Sequence, residues 1–576
     1  MVDFELIDSY QLAIRFPYDE KLVEAIKALP ERRWNKTKKQ WEMPLAHLRE
    51  AAESLEVKWE SVPKQIREAF DKVGAGKTLL LVENVYTQII GVDLPMSVLE
   101  EITSYWVEGA EYSKIYQDGH WDGYRHLMRR RGPLSFPTGL LATVEKSLSQ
   151  AGHDFSIQDK RTPPELTEPF LTAGPELRDY QTEALENLTA NERGVLQLAT
   201  GAGKTLLAAH LIARKALPSI FFVHTKDLLY QTVHVMEDTL EGQTIGVVGD
   251  GRAEPARVTV ATIQTAVRAL DLKPKKQTTD EVPVWKDEAA ASLSETDRQR
   301  IARALDQCQL LVFDECHHIP AESFYEIAMS LPNAYYRYGL SATPWRSDQS
   351  DLMIEAALGP KLCVVRSTDL INRGYLVAPM ITMYEILPTG RRLPRQFAGV
   401  YKSEVVEHPE RNAIIAEVAE HAVKQGKSVL ILVNQIQHGK ILEQAIDVAT
   451  FIHGKDSGEV REEALDRLRS KTDQVLIATT LADEGLDLPS LDVLILAGAG
   501  KSETRALQRV GRAIRPYPGK KKATIVDFWD QCQYLEEHSR QRFEIYQTEP
   551  AFEVEIRPPR KRDQPKKSRQ KILAEN

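Results

Sequence analysis

Three groups of residues in this 576-residue chain have the types and spacing of phosphate chemistry. The first is Thr200, Gly201, Ala202, Gly203, Lys204 and Thr205, set between an apolar run at 194–199 and an alanine- and leucine-rich segment at 206–211. A short buried strand, a glycine turn and a helix in that order make a phosphate cradle. Gly201 and Gly203 let backbone N–H groups face one centre, and the helix N-terminus adds its positive dipole end; Lys204 supplies a point charge, and Thr205 offers a hydroxyl to Mg2+. The expected ligand is a nucleoside triphosphate, ATP. The strict pattern has glycine where Leu198 stands.

The second group is Asp314 and Glu315, delivered by the apolar run 310–313. Two adjacent carboxylates at the end of a buried strand are costly unless they have work to do. A division of labour accounts for them: Asp314 holds Mg2+, and Glu315 orients and deprotonates the attacking water. A zinc site of Cys316, His317 and His318 is the rival, but three neighbours in sequence do not easily converge on one tetrahedron. The third group is Arg509, Arg512 and Arg515, spaced by three on one expected helix face. A solvated basic face is the bland reading. The sharper one places Arg512 and Arg515 as arginine fingers on a γ-phosphate.

A second Gly-Ala-Gly-Lys-Thr stands at 74–78. There helical spacing at 65–73 comes first and a strand-like run at 79–83 follows. With that order no helix N-terminus faces the loop, so nucleotide binding is expected only at the later copy.

Smaller signals fall where elements end. Arg178 and Gln181 precede a helix, and the Gln181 amide can both donate to and accept from an adenine edge. Strands expected at 219–224, 258–261 and 475–478 run into Thr225 and Lys226, into Thr262 and Gln264, and into Thr479. Ligands bind at the carboxyl edge of a parallel sheet, so these five are candidate nucleic-acid contacts. Ser341 and Thr343, after a strand at 338–340, suit relaying a nucleotide-dependent shift, with a simple helix cap as the alternative. Strands alternating with helices through this region argue for an α/β protein with parallel sheets. Residues 271–298 read as a polar excursion without assigned structure.

Hydrophobic residues make up 42% and charged residues 27% of the chain, the balance of an ordinary globular protein. A net charge of −9 gives no global sign of nucleic-acid binding, so any such surface is local. Four dispersed cysteines, none in a Cys-x-x-Cys pair, argue against structural zinc or disulfides and favour a reduced, cytoplasmic setting. No apolar run reaches the length of a membrane span, and no early signal core is seen.

Ahead of the phosphate loop lie two small α+β units, at 1–75 and 76–172, the second ending in the proline-rich linker 162–175. In the first, basic residues including Lys38 and Lys39 interleave with Trp34 and Trp41 on an expected hairpin. Such a surface can track phosphates and stack bases, and core tryptophans beside solvated lysines remain the alternative. Phe16-Pro17-Tyr18-Asp19, Leu29-Pro30, Arg33-Trp34 and Lys39-x-Trp41-x-x-Pro44 resemble the HARP modules of annealing helicases, which engage branched DNA. In the second unit, Trp121, Tyr124 and the run Arg129, Arg130, Arg131 are candidate DNA contacts, since three arginines are too costly to bury unpaired. A charged domain edge is the other reading. Its Trp121-Asp122-Gly123-Tyr124, Gly139-Leu140-Leu141 and Asp159-Lys160-Arg161 resemble the N-terminal domain of the UvsW helicase.

Residues 177–181, Thr200 to Thr205, Asp314 to His317 and Ser341-Ala342-Thr343, in this order, resemble the motifs of superfamily 2 helicases, particularly the XPB, UvsW and restriction-motor branch. Glu484-Gly485-Leu486-Asp487 and Gln508-x-x-Gly511-Arg512-x-x-Arg515 continue the series. The resemblance implies two RecA-like lobes at 173–365 and 366–550. It implies that Gly485 and Asp487 meet the nucleotide, that Gln508 couples sites, and that the substrate is DNA, branched or forked, with RNA in hybrids as a variant. An RNA helicase, an ATP-gated scaffold and a subunit of a restriction complex are the alternatives. A tail at 551–576 is expected to be basic and disordered, with eight basic and two acidic residues from Arg557 onward.

Overall fold

The computed structural model describes residues 2–7, 11–29, 32–35, 38–73, 78–91, 95–130, 132–272, 293–342, 349–390, 392–479, 488–498, 500 and 503–559. Contacts divide the chain into two compact units, one of residues 1–198 and 202–364, the other of residues 199–201 and 365–576. No helix among the described residues is long and apolar enough to cross a membrane.

The first unit begins with an antiparallel sheet ordered Asp3–Leu6, Gln11–Arg15, Gln40–Pro44, Arg33–Asn35. Helices Glu20–Ala28, Leu48–Ser54 and Lys64–Val73 accompany it, around a core that includes Leu12, Ile14, Ile26 and Leu48. Asp19 caps the first helix through Lys21 N and Leu22 N. A second sheet follows, with Thr78–Val82 between the parallel strand Phe155–Asp159 and the antiparallel strand Tyr86–Ile90, which pairs in turn with Ser135–Pro137. A separate ribbon, Ser104–Trp106 with Tyr124–His126, projects beside it. The helix Lys64–Val73 precedes and the strand Thr78–Val82 follows the first Gly-Ala-Gly-Lys-Thr, in the order expected; Gly74 to Lys77 lie outside the described residues.

The remainder of this unit is an eight-stranded sheet. Its middle runs Ile245–Gly249, Val258–Thr262, Ser219–Val223, Leu310–Asp314, Tyr336–Ser341, Arg193–Leu198, every neighbouring pair parallel. All residues of Ser219–Val223, Val258–Thr262 and Leu310–Asp314 are buried, as covering both faces of a parallel sheet requires. The second sheet and this one share a hydrophobic core: Leu80, Phe136, Leu140 and Val144 belong to one cluster with Ala266, Leu305, Ile354 and Ala356.

The second unit is built on a seven-stranded sheet whose neighbours are again all parallel. Its order is Ala449–Ile452, Val475–Thr479, Val429–Val433, Val493–Leu496, Ala523–Asp530, Pro379–Ile386, Glu553–Arg557. The α/β class with two large parallel sheets is the one the sequence implies.

Three elements differ from expectation. The helix Glu295–Asp306, capped by Ser294 and burying Ile301 and Leu305, begins inside the polar excursion 271–298 and runs beyond it; residues 273–292 lie outside the described residues. Residues 553–557, assigned to the tail, form an edge strand paired with 380–384, because a free parallel edge satisfies their backbone groups. The arginine-bearing helix is Glu503–Ala513, so Arg509 and Arg512 are helical while Arg515 lies past its end. Residues 560–576 fall outside the described part.

A candidate nucleoside triphosphate site

Three adjacent strands of the first sheet, Leu310–Asp314, Tyr336–Ser341 and Arg193–Leu198, deliver Asp314, Ser341 and the phosphate loop to one carboxyl edge. Gly201 and Gly203 have φ of 85° and 75°, left-handed values that glycine adopts without strain. The helix Lys204–Lys215 starts directly after Gly203, so its unpaired N–H groups open on the loop. A Cβ at position 203 would stand 2.5 Å from Gln181 Nε2, so the close approach also requires glycine.

Gln181 is buried, and both ends of its amide are engaged. Nε2 donates to Ala202 O at 2.9 Å and Oε1 accepts from Arg178 N at 2.9 Å. Tyr180 Oη donates to the same Ala202 carbonyl at 3.0 Å. The first turn of the helix Asp179–Ala190 thus braces the loop; Gln181 lies within that helix rather than ahead of it, and the contribution of Tyr180 is one that the sequence reading missed although it adjoins Gln181. Arg178 is exposed, and Thr205 lies at the start of the loop helix, half-buried.

Lys204 Nζ pairs with Glu315 Oε1 at 2.5 Å, the two side chains 12% and 17% exposed. Glu315 Oε2 accepts from Ser341 Oγ at 3.2 Å, and His317 Nδ1 lies 3.0 Å from Ser341 Oγ and 3.2 Å from Glu315 Oε2. Glu315 takes a left-handed φ of 46°, which turns it off the strand, and its N–H donates to Asp314 Oδ1. Burial disfavours the Glu315 carboxylate, but Lys204 and His317 outweigh it and hold it well below the usual range. Burial and the Glu315 charge push Asp314 upward against the pull of Lys204 and His224. Burial likewise works against the Lys204 ammonium, and Glu315 and Asp314 more than offset it, raising its pKa. The geometry therefore gathers Lys204, Asp314, Glu315 and Ser341, and adds His317, whose signal was its place two residues after Glu315.

These residues fit Mg2+ and a triphosphate. The loop N–H groups and Lys204 supply positive charge, while a dication beside Asp314 would reverse the repulsion that raises its pKa.

The other candidates are placed as follows. Thr225 caps the helix Lys226–Thr239 through Leu228 N, and Lys226 is exposed at its start. Thr262 is buried and bonded to Thr265 Oγ1, and Gln264 Nε2 donates to His224 O. Trp34 is 44% exposed, opposite the half-buried Trp41, with ring centroids 5.2 Å apart. Lys38 and Lys39 are exposed at the hairpin turn. Trp121 Nε1 donates to Tyr124 O, and Tyr124 packs edge-on against Trp106. Arg129 lies 3.6 Å over the Tyr86 ring, and Arg130 pairs with Glu100, so both exposed arginines already have partners. In the second unit Thr479 is buried at a strand end, and Gln508, Arg512 and Arg515 are half-buried. Arg131, Thr343, Gly485 and Asp487 lie outside the described residues.

A parallel sheet with a glycine loop, a lysine and an acidic pair on one edge, followed by a second parallel sheet bearing an arginine helix, defines a tandem-lobe α/β protein with a phosphate loop in its first lobe. Two families match: Type III restriction enzyme, res subunit, over residues 174–346, and Helicase conserved C-terminal domain over residues 410–517. Helicase 22 of Sulfolobus islandicus filamentous virus is 32% identical over 251 residues, covering 40% of this chain and 44% of that protein. The Rad25-type DNA 3'-5' helicase of Haloarcula marismortui is 26% identical, covering 73% and 66%. The ATP-dependent DNA helicase uvsW of Enterobacteria phage T4 is 22% identical, covering 75% and 86%. The chain thus spans less than half of the viral relative and just under two thirds of the archaeal one. It belongs to the superfamily 2 helicases, in the branch that contains XPB and UvsW.

Proposed function

We propose that this protein is an ATP-driven DNA helicase or translocase that remodels branched DNA in repair or recombination. The observation that carries the motor reading is the Lys204–Glu315–Ser341 constellation at one sheet edge. Lys204 leaves Glu315 for the β- and γ-phosphoryl oxygens of ATP. Glu315, held by Ser341 and His317, is then free to take a proton from the attacking water. Asp314 and Thr205 would hold Mg2+, which when bound would supply charge against the phosphates. Arg512 and Arg515 meet the transferred phosphoryl group, Gly485 and Asp487 the nucleotide, and Gln508 with Thr343 couples hydrolysis to movement.

Supporting a DNA substrate are the names of the relatives, which include a DNA translocase and a DNA helicase. The branched-DNA reading adds the two N-terminal modules, 1–75 as HARP-like and 76–172 as UvsW-like recognition elements. Their contacts are proposed at Trp34, Lys38, Lys39, Trp41, Trp121, Tyr124 and the 129–131 arginines, with the lobes contributing Thr225, Lys226, Thr262, Gln264 and Thr479. A second reading, a motor subunit of a larger restriction assembly, is favoured by the family matched at 174–346.

The test is ATP turnover and strand remodelling measured side by side on forked, duplex and single-stranded DNA and on RNA. Stimulation strongest with forks supports the proposal. Equal stimulation by all four removes the branched-DNA claim, and preference for RNA transfers the motor to RNA. Turnover that survives Lys204→Ala or Glu315→Gln removes the motor itself.

A further inference from the structure

In the second unit, the connection that carries the chain from the strand Val493–Leu496 toward the arginine helix Glu503–Ala513 is gripped by polar side chains from four separate segments, three of them buried (Tyr401, Arg411 and Arg542) and the fourth, Asn434, exposed. Arg411 Nη2 donates to Ala497 O at 3.0 Å. Tyr401 Oη donates to Gly498 O at 2.8 Å, and Asn434 Nδ2 donates to the same carbonyl at 2.5 Å. Arg542 Nη1 donates to Gly500 O at 3.0 Å.

The two arginines are themselves anchored on one strand. Arg411 pairs with Asp530, both essentially inaccessible to solvent. Arg542 reaches Asp527 through Nε at 2.9 Å and Nη2 at 3.1 Å, and Tyr546 Oη donates to Asp527 Oδ2 at 2.9 Å. Asp527 and Asp530 both belong to Ala523–Asp530, so an interior strand of the sheet, the neighbour of Val493–Leu496, is the fixed end of the clamp. Gly498 is held so closely that a Cβ there would come within 2.6 Å of Asn434 Oδ1.

Two buried ion pairs are an expensive way to hold a loop, because well-packed apolar side chains of similar volume are often as stable. What apolar residues cannot do is fix carbonyl positions in three dimensions. We propose that Tyr401, Asn434, Arg411 and Arg542 are positioning residues that set the start, and so the aim, of the helix bearing Arg512. This rests on the proposed role of Arg512 toward ATP. Tyr401 and Arg542 touch no nucleotide in this account and act through the loop.

The experiment uses the full chain with forked DNA and reads kcat and KM for ATP together with thermal unfolding. Tyr401→Phe removes one donor without changing shape, and Arg542→Lys keeps the charge but can serve Asp527 or Gly500, not both. Both variants are expected to unfold near the wild-type temperature and keep KM for ATP, while kcat falls by roughly ten- to a hundredfold, the cost of a small misplacement. Arg542→Met is expected to fall further, so the lysine variant is a partial rescue. Unchanged kcat in Tyr401→Phe and Arg542→Lys, beside an inactive Arg512→Ala, overturns the clamp alone. A kcat loss that tracks lowered unfolding temperature in every variant also overturns it, since that is a packing effect. An active Arg512→Ala removes the arginine reading, and the clamp's purpose with it.

Discussion

Lys204 and Glu315 neutralise each other in a site where neither is more than 17% exposed. Removing one partner leaves a charge with less compensation than it needs, so Lys204→Met and Glu315→Gln should each abolish turnover and also destabilise the first unit. In the double variant part of the stability should return, and a double-mutant cycle on urea unfolding is expected to give a coupling energy of about 1 kcal/mol or more. His438 carries a second residue-level prediction. It is fully buried, its Nε2 pairs with Asn412 Oδ1, and Nδ1 finds no partner among the described residues. Burial and the nearby Arg411 charge lower its pKa to about 3. The unfolded chain takes up that proton below about pH 6.5 while the folded chain does not, so stability drains away as pH falls. The second unit should lose about 1.4 kcal/mol per pH unit between pH 6 and 4 from this group, and His438→Gln should flatten that slope in denaturant titrations. The residues gathered at the phosphate-loop edge of the first sheet were legible because each signal was local: glycines before a lysine, carboxylates after a strand. The brace by Tyr180 and the contact of His317 with Ser341 were not, because each joins residues more than twenty apart in sequence.

At the scale of elements, legibility followed the same division. The helix Glu295–Asp306 could have been read from Ser294 and Asp297, a cap spacing whose bond from Asp297 N to Ser294 Oγ is present. Composition hid it. The edge strand Glu553–Arg557 alternates apolar and charged residues, yet its pairing depends on a partner strand that ends more than 160 residues earlier, so the basic surroundings dominated the reading. Arg515 left the expected helix because spacing alone carries no stop signal, and the helix ends at Ala513. The helix Asp351–Leu358 yields a prediction of its own. Tyr105 Oη lies 3.0 Å from Met353 Sδ, Thr143 Oγ1 donates to Glu355 Oε1 at 2.7 Å, and a side chain at Gly139 would overlap the Glu355 carbonyl. Gly139→Val should therefore cost about 3 kcal/mol in unfolding of the first unit, measured calorimetrically, whereas Thr143→Ser should be nearly silent.

Across the whole molecule, the two N-terminal modules have different standing. The core of the first, around Leu12, Ile14 and Leu48, is a cluster of its own, whereas the second shares its core with the large sheet. Removal of residues 1–73 should leave a chain that folds and keeps its basal ATP turnover while losing preference among DNA structures. Removal through residue 160 should strip the helix Asp351–Leu358, Ala356 included, of cover and give aggregation, seen by light scattering.

That shared core also fixes what the Ser104–His126 ribbon can do. Tyr105 and Arg125 are bound to the large sheet's helices through Met353 and Glu322, and the neighbouring Trp106 and Tyr124 form the aromatic cluster. The ribbon has no joint of its own. The aromatic tip is thereby rigidly tied to the sheet that carries the phosphate loop, like a blade brazed to its handle, and any tilt of that sheet tilts the tip by the same angle.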